Sequence, residues 1–143
     1  MSKTLLLSTW VIIITAFSLM ALIIYWLIFP YKVIEFKTQP FPIQDKVVGP
    51  GDHIVYEVDY CKDISVSARI SRSFEDGIIY TTPDIDNDAG VGCHKRLISV
   101  YVPRALPPGI YNIKNTYIYQ VNPIRTVEVV AITEKFEVVK GVN

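Results

Sequence analysis

Apolar residues are distributed along this chain in two ways, and the change falls near Pro30. From Leu5 to Phe29 (LLLSTWVIIITAFSLMALIIYWLIF) the run is continuous and holds no charged residue. As a helix it would be about 37 Å long at about 1.5 Å per residue, enough to cross the ~30 Å hydrocarbon core of a bilayer. Its many β-branched residues disfavour a helix in water. In lipid, a lone segment can satisfy its own backbone only as a helix. Trp10 lies near one end and Tyr25, Trp26 and Tyr31 near the other, where amphipathic rings favour the headgroup level. The pattern predicts one transmembrane helix over residues 5–29, with residues 1–4 before it and a separate domain over 30–143.

A cleaved secretory signal is the competing reading, because Lys3 precedes the run and Ala16-Phe17-Ser18 has a small-x-small form. Cleavage there would leave LMALIIYWLIF dangling, and the run exceeds the usual apolar core of about 7–15 residues. An uncleaved signal anchor is the expectation. The helix carries no small-xxx-small pair, so no close-packed helix dimer is signalled. Ser8, Thr9, Thr15 and Ser18 are expected to bond back to their own helix.

After Val33 the apolar period is two, with Pro and Gly as punctuation, which predicts β-strands. Val33 to Thr38 reads as a first edge strand, which Gln39-Pro40-Phe41-Pro42 breaks or switches. Val47-Val48 follows, then a turn at Gly49-Pro50-Gly51-Asp52. Ile54, Tyr56, Val58 and Tyr60 share one face of the next strand. Ile64, Val66, Ala68 and Ile70 share one face of its successor. Glu75-Asp76-Gly77 signals a hairpin into Ile78 to Thr82. A polar loop runs from Pro83 to Gly92. Strands are then expected at Leu97 to Val102, Tyr111 to Val121 and, after an Asn122-Pro123 turn, Arg125 to Val139. Within the last, a change in apolar parity (Val127 and Val129, then Ile132, Phe136 and Val138) predicts a bulge near Ala131 to Thr133. About seven short strands with regular turn signals read as an antiparallel, all-β sandwich.

The segment Leu106-Pro107-Pro108-Gly109-Ile110-Tyr111-Asn112-Ile113 resembles the approach to the sixth strand of immunoglobulin-like domains, where Gly-x-Tyr sets a tyrosine at a corner between strands. Ile113 stands where antibody-type domains carry cysteine, and both tryptophans lie in the apolar run. The likeness is therefore to the wider group of fibronectin III-like and bacterial or phage immunoglobulin-like modules. It implies an order in which the second and fifth strands are antiparallel neighbours. Cys61 ends the second and Cys93 begins the fifth, so the resemblance makes them cross-strand disulfide partners at the membrane-proximal pole. Two buried free thiols are the alternative. A disulfide would place the domain in an oxidising compartment, with the N-terminus cytoplasmic and the domain extracytoplasmic. Flanking charge does not decide the matter: Lys3 lies on one side, Lys32 and Lys37 with Glu35 on the other.

Charge and chemistry narrow the function. The chain carries 14 basic and 14 acidic residues, and only Lys3 precedes the domain, which leaves that domain one net negative charge. This is no footprint for nucleic acid or for an anionic lipid surface. Asp84, Asp86 and Asp88 have the spacing that opens a calcium loop. Ala89 stands where that loop needs glycine and Lys95 where it needs glutamate, so a solvated acidic loop is the default. His53, His94, Cys61 and Cys93 lack the paired spacing of a zinc site. There is no G-x-S-x-G elbow, P-loop or dinucleotide fingerprint, and no cofactor is expected. Tyr111, Tyr117 and Tyr119 share a parity that points to the core, with Asn115 marking an irregularity among them. Tyr80, Tyr101, Arg69 and Arg104 would make an interaction surface if exposed together. The expected function is a non-catalytic interaction or structural module. It would be held in the bilayer by residues 5–29, with another envelope protein as partner, and it resembles small bacterial or phage envelope accessory proteins. The alternatives are a ligand or calcium sensor using Asp84 to Asp88 and, with less in its favour, a hydrolase.

Overall fold

The computed structural model describes residues 3–75 and 79–140. Helix α1 (Lys3–Ile28) is followed by β1 (Ile34–Phe36), β2 (Val47–Val48), β3 (His53–Lys62), β4 (Ala68–Glu75) and β5 (Ile79–Thr81). Then come β6 (Ile85–Asn87), β7 (Gly92–Tyr101), β8 (Gly109–Asn122), β9 (Arg125–Ile132) and β10 (Phe136–Val138). The span Leu7–Ile28 is 22 residues, long and apolar enough to cross a membrane, and none of its most apolar stretch is buried against the rest of the chain. Thr15 and Ser18 donate to the carbonyls of Val11 and Ile14, one turn back. The helix ends because Pro30 has no N–H to continue it; its last backbone bond runs from Phe29 N–H to the Tyr25 carbonyl.

The strands form two sheets. One has the order β1-β3-β7; the other has seven strands, ordered β2-β10-β8-β4-β5, with β6 also on β4 and β9 also on β8. All pairings are antiparallel except that of β2 with β10. Period-two alternation buries one face of each sheet. Ile54, Tyr56, Val58 and Tyr60 of β3 meet Ala68, Ile70 and Phe74 of β4 and Tyr111, Ile113, Tyr117 and Tyr119 of β8 in one core. The Phe36 ring lies 5.1 Å from that of Tyr117 across the sheets, and Phe41 stacks on Tyr56 at 5.9 Å. Each buried large side chain contributes about 1.5–3 kcal/mol by leaving water.

Between Gln39 and Val47 the chain passes from one sheet to the other, with Phe41 on Thr133 and Ile43 still bridging Tyr56 of β3. β1 pairs with β3, whereas β2 pairs with β10. The peptide between Gln39 and Pro40 is cis. Gly51 turns the chain into β3 with a φ of 94°, a conformation that suits glycine.

Several boundaries differ from those the sequence suggested. The strand expected from Ile64 starts at Ala68 and runs to Glu75, so Ile64 and Val66 are half-buried in the preceding turn. The polar loop Pro83 to Gly92 contains a strand, β6, because Ala68 to Ile70 leaves an edge free to pair. β7 begins at Gly92, five residues before Leu97, which brings Cys93 into the ladder. The Glu75-Asp76-Gly77 hairpin signal and the start of the next strand fall on 76–78, outside the described residues. The irregularity in the last strand is present but sits at 133–135. Ile132 pairs with Lys114 and Phe136 with Tyr111, so one strand carries an extra residue. The Thr133 hydroxyl fills the gap, accepting from the Ile113 N–H at 2.9 Å. Ile132, expected inside, is exposed.

Candidate functional site

Three places gather chemistry-bearing side chains: the disulfide, the junction with the helix and a polar centre between the sheets. The β3–β7 register sets Cys61 opposite Cys93, and the two are bonded, their Cα atoms 3.9 Å apart. The pairing is fixed by two ten-residue strands in continuous register.

The helix junction is built by the turn between β8 and β9. The last carbonyls of any helix lack intrahelical donors and carry the negative end of its dipole. Here Asn122 Nδ2 donates to the Trp26 carbonyl at 3.1 Å and to the Tyr31 hydroxyl at 3.3 Å. Arg125 Nη1 donates to the carbonyls of Leu27, at 2.9 Å, and Phe29, at 2.7 Å. The Arg125 guanidinium also lies over the Tyr31 ring, 5.6 Å from its centre. Asn122 Oδ1 accepts from the Ile124 N–H, which holds the turn in shape. A cation and an amide from the far end of the chain thus cap the helix.

The candidate residues from the sequence fare differently. Asp84 and Asp88 flank β6 and Asp86 lies in it, opposite Arg69. Residues two apart on an extended strand are about 7 Å apart, which separates their carboxylates. Among the described residues no group of three or more His, Cys, Asp or Glu side chains could hold a metal ion. Tyr101 and Arg104 do come together, both reaching the Gly51 turn. Tyr80 packs edge-on against Tyr111 and pairs with Phe74, five residues along β4 from Arg69. That is about 17 Å of strand, so Arg69 stands well apart from Tyr80. His53 packs on Tyr101 and His94 on Tyr60.

Two buried cations were not singled out in the sequence. Lys62 donates to the Ala89 carbonyl at 2.6 Å and lies over the Tyr119 ring. Its burial pushes the ammonium pKa down, while the charge of Asp88 acts the other way. Arg72 occupies the centre of β4. Its Nε donates to Asn115 Oδ1 at 3.2 Å, and Tyr56 donates its hydroxyl to the same oxygen at 2.7 Å. Asn115 is fully buried, and among the described residues its Nδ2 has no partner. Burial raises the pKa of Tyr56, against the opposing pull of Arg72, and raises that of Tyr117 as well. The signal was parity: Arg72 alternates with Ile70 and Phe74, and Asn115 with Ile113 and Tyr117. Polar residues at inward positions therefore mark this centre.

No family model matches the chain, and no curated protein matches it. Among solved structures it is similar to a β-glucosidase from Listeria innocua, in complex with glucose. The identity is 11%, over 74% of this chain and 16% of that one, with a TM-score of 0.38. So slight a likeness carries no argument about function. Fold and sites define a β-rich domain with one N-terminal apolar helix and an internal disulfide.

Proposed function

We propose that the protein is a single-pass, signal-anchored module in which the helix stays in the bilayer and holds an immunoglobulin-like β-sandwich against the outer face. There it serves as a non-catalytic interaction or structural element for another envelope protein. The helix junction carries this reading. Asn122 and Arg125 clamp the end of the helix directly, so the head is oriented rather than loosely tethered. A helix whose apolar stretch is covered by nothing in the chain calls for lipid. The immunoglobulin-like assignment is supported by the parallel β2–β10 pair beside an otherwise antiparallel sheet and by the Tyr111 hydroxyl, which donates to the Pro107 carbonyl at 2.9 Å. The disulfide favours an oxidising compartment.

The test is topology in intact cells. A C-terminal tag should be digested by protease added from outside, and Cys61 and Cys93 should resist alkylation until a reductant is added. A protected tag, or a mature chain beginning after residue 18, overturns the anchored outer-face reading. Cross-linking in the membrane followed by detergent extraction should capture a discrete partner if the head is an interaction module.

A further inference from the structure

We propose that the space between the sheets beside Arg72 is a binding site for a small carboxylate that carries a short apolar body. A cavity of about 160 Å³ lies there. Its polar walls include Arg72, Tyr60 and Arg96, and its apolar ones Ile70, Ile98 and Tyr117. Arg72 is 8% exposed, yet no ion pair among the described residues includes it; its side-chain partners are neutral, the Asn115 amide oxygen and the Tyr56 hydroxyl. A buried guanidinium without a counter-charge is costly, and its planar fork matches a carboxylate. Tyr60, 5% exposed, lines the same cavity, and among the described residues its hydroxyl has no partner. One carboxylate could take both a guanidinium N–H and that O–H.

Charge and size restrict the ligand. Asp86 also lines the cavity, so the two arginines leave one net positive charge, which suits a monoanion. The aliphatic walls would strip water from a doubly charged phosphate without replacing it, whereas a carboxylate on a hydrocarbon stub keeps its apolar part against isoleucine. A cavity of this size favours a short apolar body over a long chain. Arg72 also borders a second cavity of about 240 Å³ near Thr81 and Ser99, but no unpartnered buried hydroxyl is found there among the described residues.

Full-length protein in neutral detergent, melted at fixed ionic strength, tests the site. Sodium isobutyrate should raise the melting temperature in a saturable way at concentrations on the order of millimolar to tens of millimolar, as expected for a ligand that binds only the folded state. Isobutyramide and sodium phosphate should not. Tyr60→Phe should weaken the response several-fold and Arg72→Met about tenfold or more, the size of a charged hydrogen bond. A stronger response to N-acetylvaline assigns the carboxylate to a peptide terminus, and a stronger response to isobutyrate assigns it to a free acid. No saturable shift, or an equal shift with isobutyramide or phosphate, overturns the proposal. The amide comparison is made on the unmodified protein and stands even if Arg72→Met does not fold.

Discussion

Arg125 donates through Nη1 to the carbonyl oxygen of Phe29, 96 residues earlier in the sequence, at 2.7 Å. The contact joins the first residue of β9 to the chain just beyond α1, and Asn122 repeats it on Trp26. Pro30 alone would leave a hinge there. With the β8–β9 turn seated on the helix end, the hinge becomes a fixed angle, so the face the sheets present is set relative to the helix axis.

Replacing Arg125 with Gln and Asn122 with Ala should loosen that angle without melting the sheets. Both side chains lie at the edge of the head, so its unfolding free energy should change by less than about 1 kcal/mol. Nitroxide labels at the exposed positions Leu22 and Glu128 should give a narrow distance distribution in the parent and a broad one in the double variant. Equally narrow distributions would mean that the path through Pro30 fixes the head unaided.

The disulfide should contribute to stability as a cross-link of the unfolded chain. Closing a loop of 32 residues is worth about 3–4 kcal/mol in the loop-entropy model. Replacing Cys61 and Cys93 together with Ala should lower the urea midpoint accordingly, with far-ultraviolet circular dichroism retained in the absence of denaturant. The two strands already pair over ten residues, so the fold itself should survive.

What could be read from the sequence followed from two periodicities. An uninterrupted run of apolar residues at that length predicts one long apolar helix, and α1 appears there. Alternation along His53 to Tyr60 gave β3 and its inward face, because a one-residue slip would expose every apolar side chain. The junction and the polar centre were harder to see. Arg125 and Asn122 look like ordinary turn residues, and their partners are main-chain carbonyls, which carry no sequence signature. Arg72 and Asn115 sit on inward parities, but a polar residue there is usually explained away as a break in the strand. Asn115 looks like an irregularity among the inward tyrosines, whereas β8 runs straight through it. For Tyr80, Tyr101, Arg69 and Arg104, alternation gives the face of a residue and not its height along the strand, so the distance between Arg69 and Tyr80 was not legible.

Asn115 should be the least replaceable polar side chain in the head. Its Oδ1 accepts from both Tyr56 and Arg72, so Asn115→Ala strands a buried hydroxyl and removes the acceptor of a buried guanidinium. A loss of about 2–4 kcal/mol is expected, against about 1 kcal/mol for Tyr56→Phe, which removes a donor while leaving Arg72 bound. Chemical denaturation of both single variants and the double one should give a coupling of about 1 kcal/mol. Additive losses would mean that the 2.7 Å contact contributes nothing of its own.

Alkali should unfold the head through its buried tyrosines. Burial raises the pKa of Tyr119 from its ordinary 10.0 to about 12, and it raises those of Tyr56 and Tyr117 as well. Above pH about 10 the unfolded chain loses these protons while the folded chain keeps them. The unfolded state then binds fewer protons, and stability must fall as pH rises. Tyr119 contributes to this loss, and its share is complete once pH passes its folded value. Lys62 acts in the opposite sense at lower pH: burial lowers its pKa, so the folded state gains as pH climbs toward the ordinary value of 10.5. Stability should therefore hold or rise up to about pH 10 and decline beyond it. Phenolate absorbance should appear in two stages, exposed tyrosines first and the buried ones with the loss of structure. A single smooth titration with unchanged circular dichroism beyond pH about 11 would mean that these hydroxyls are open to solvent, against their burial between the sheets.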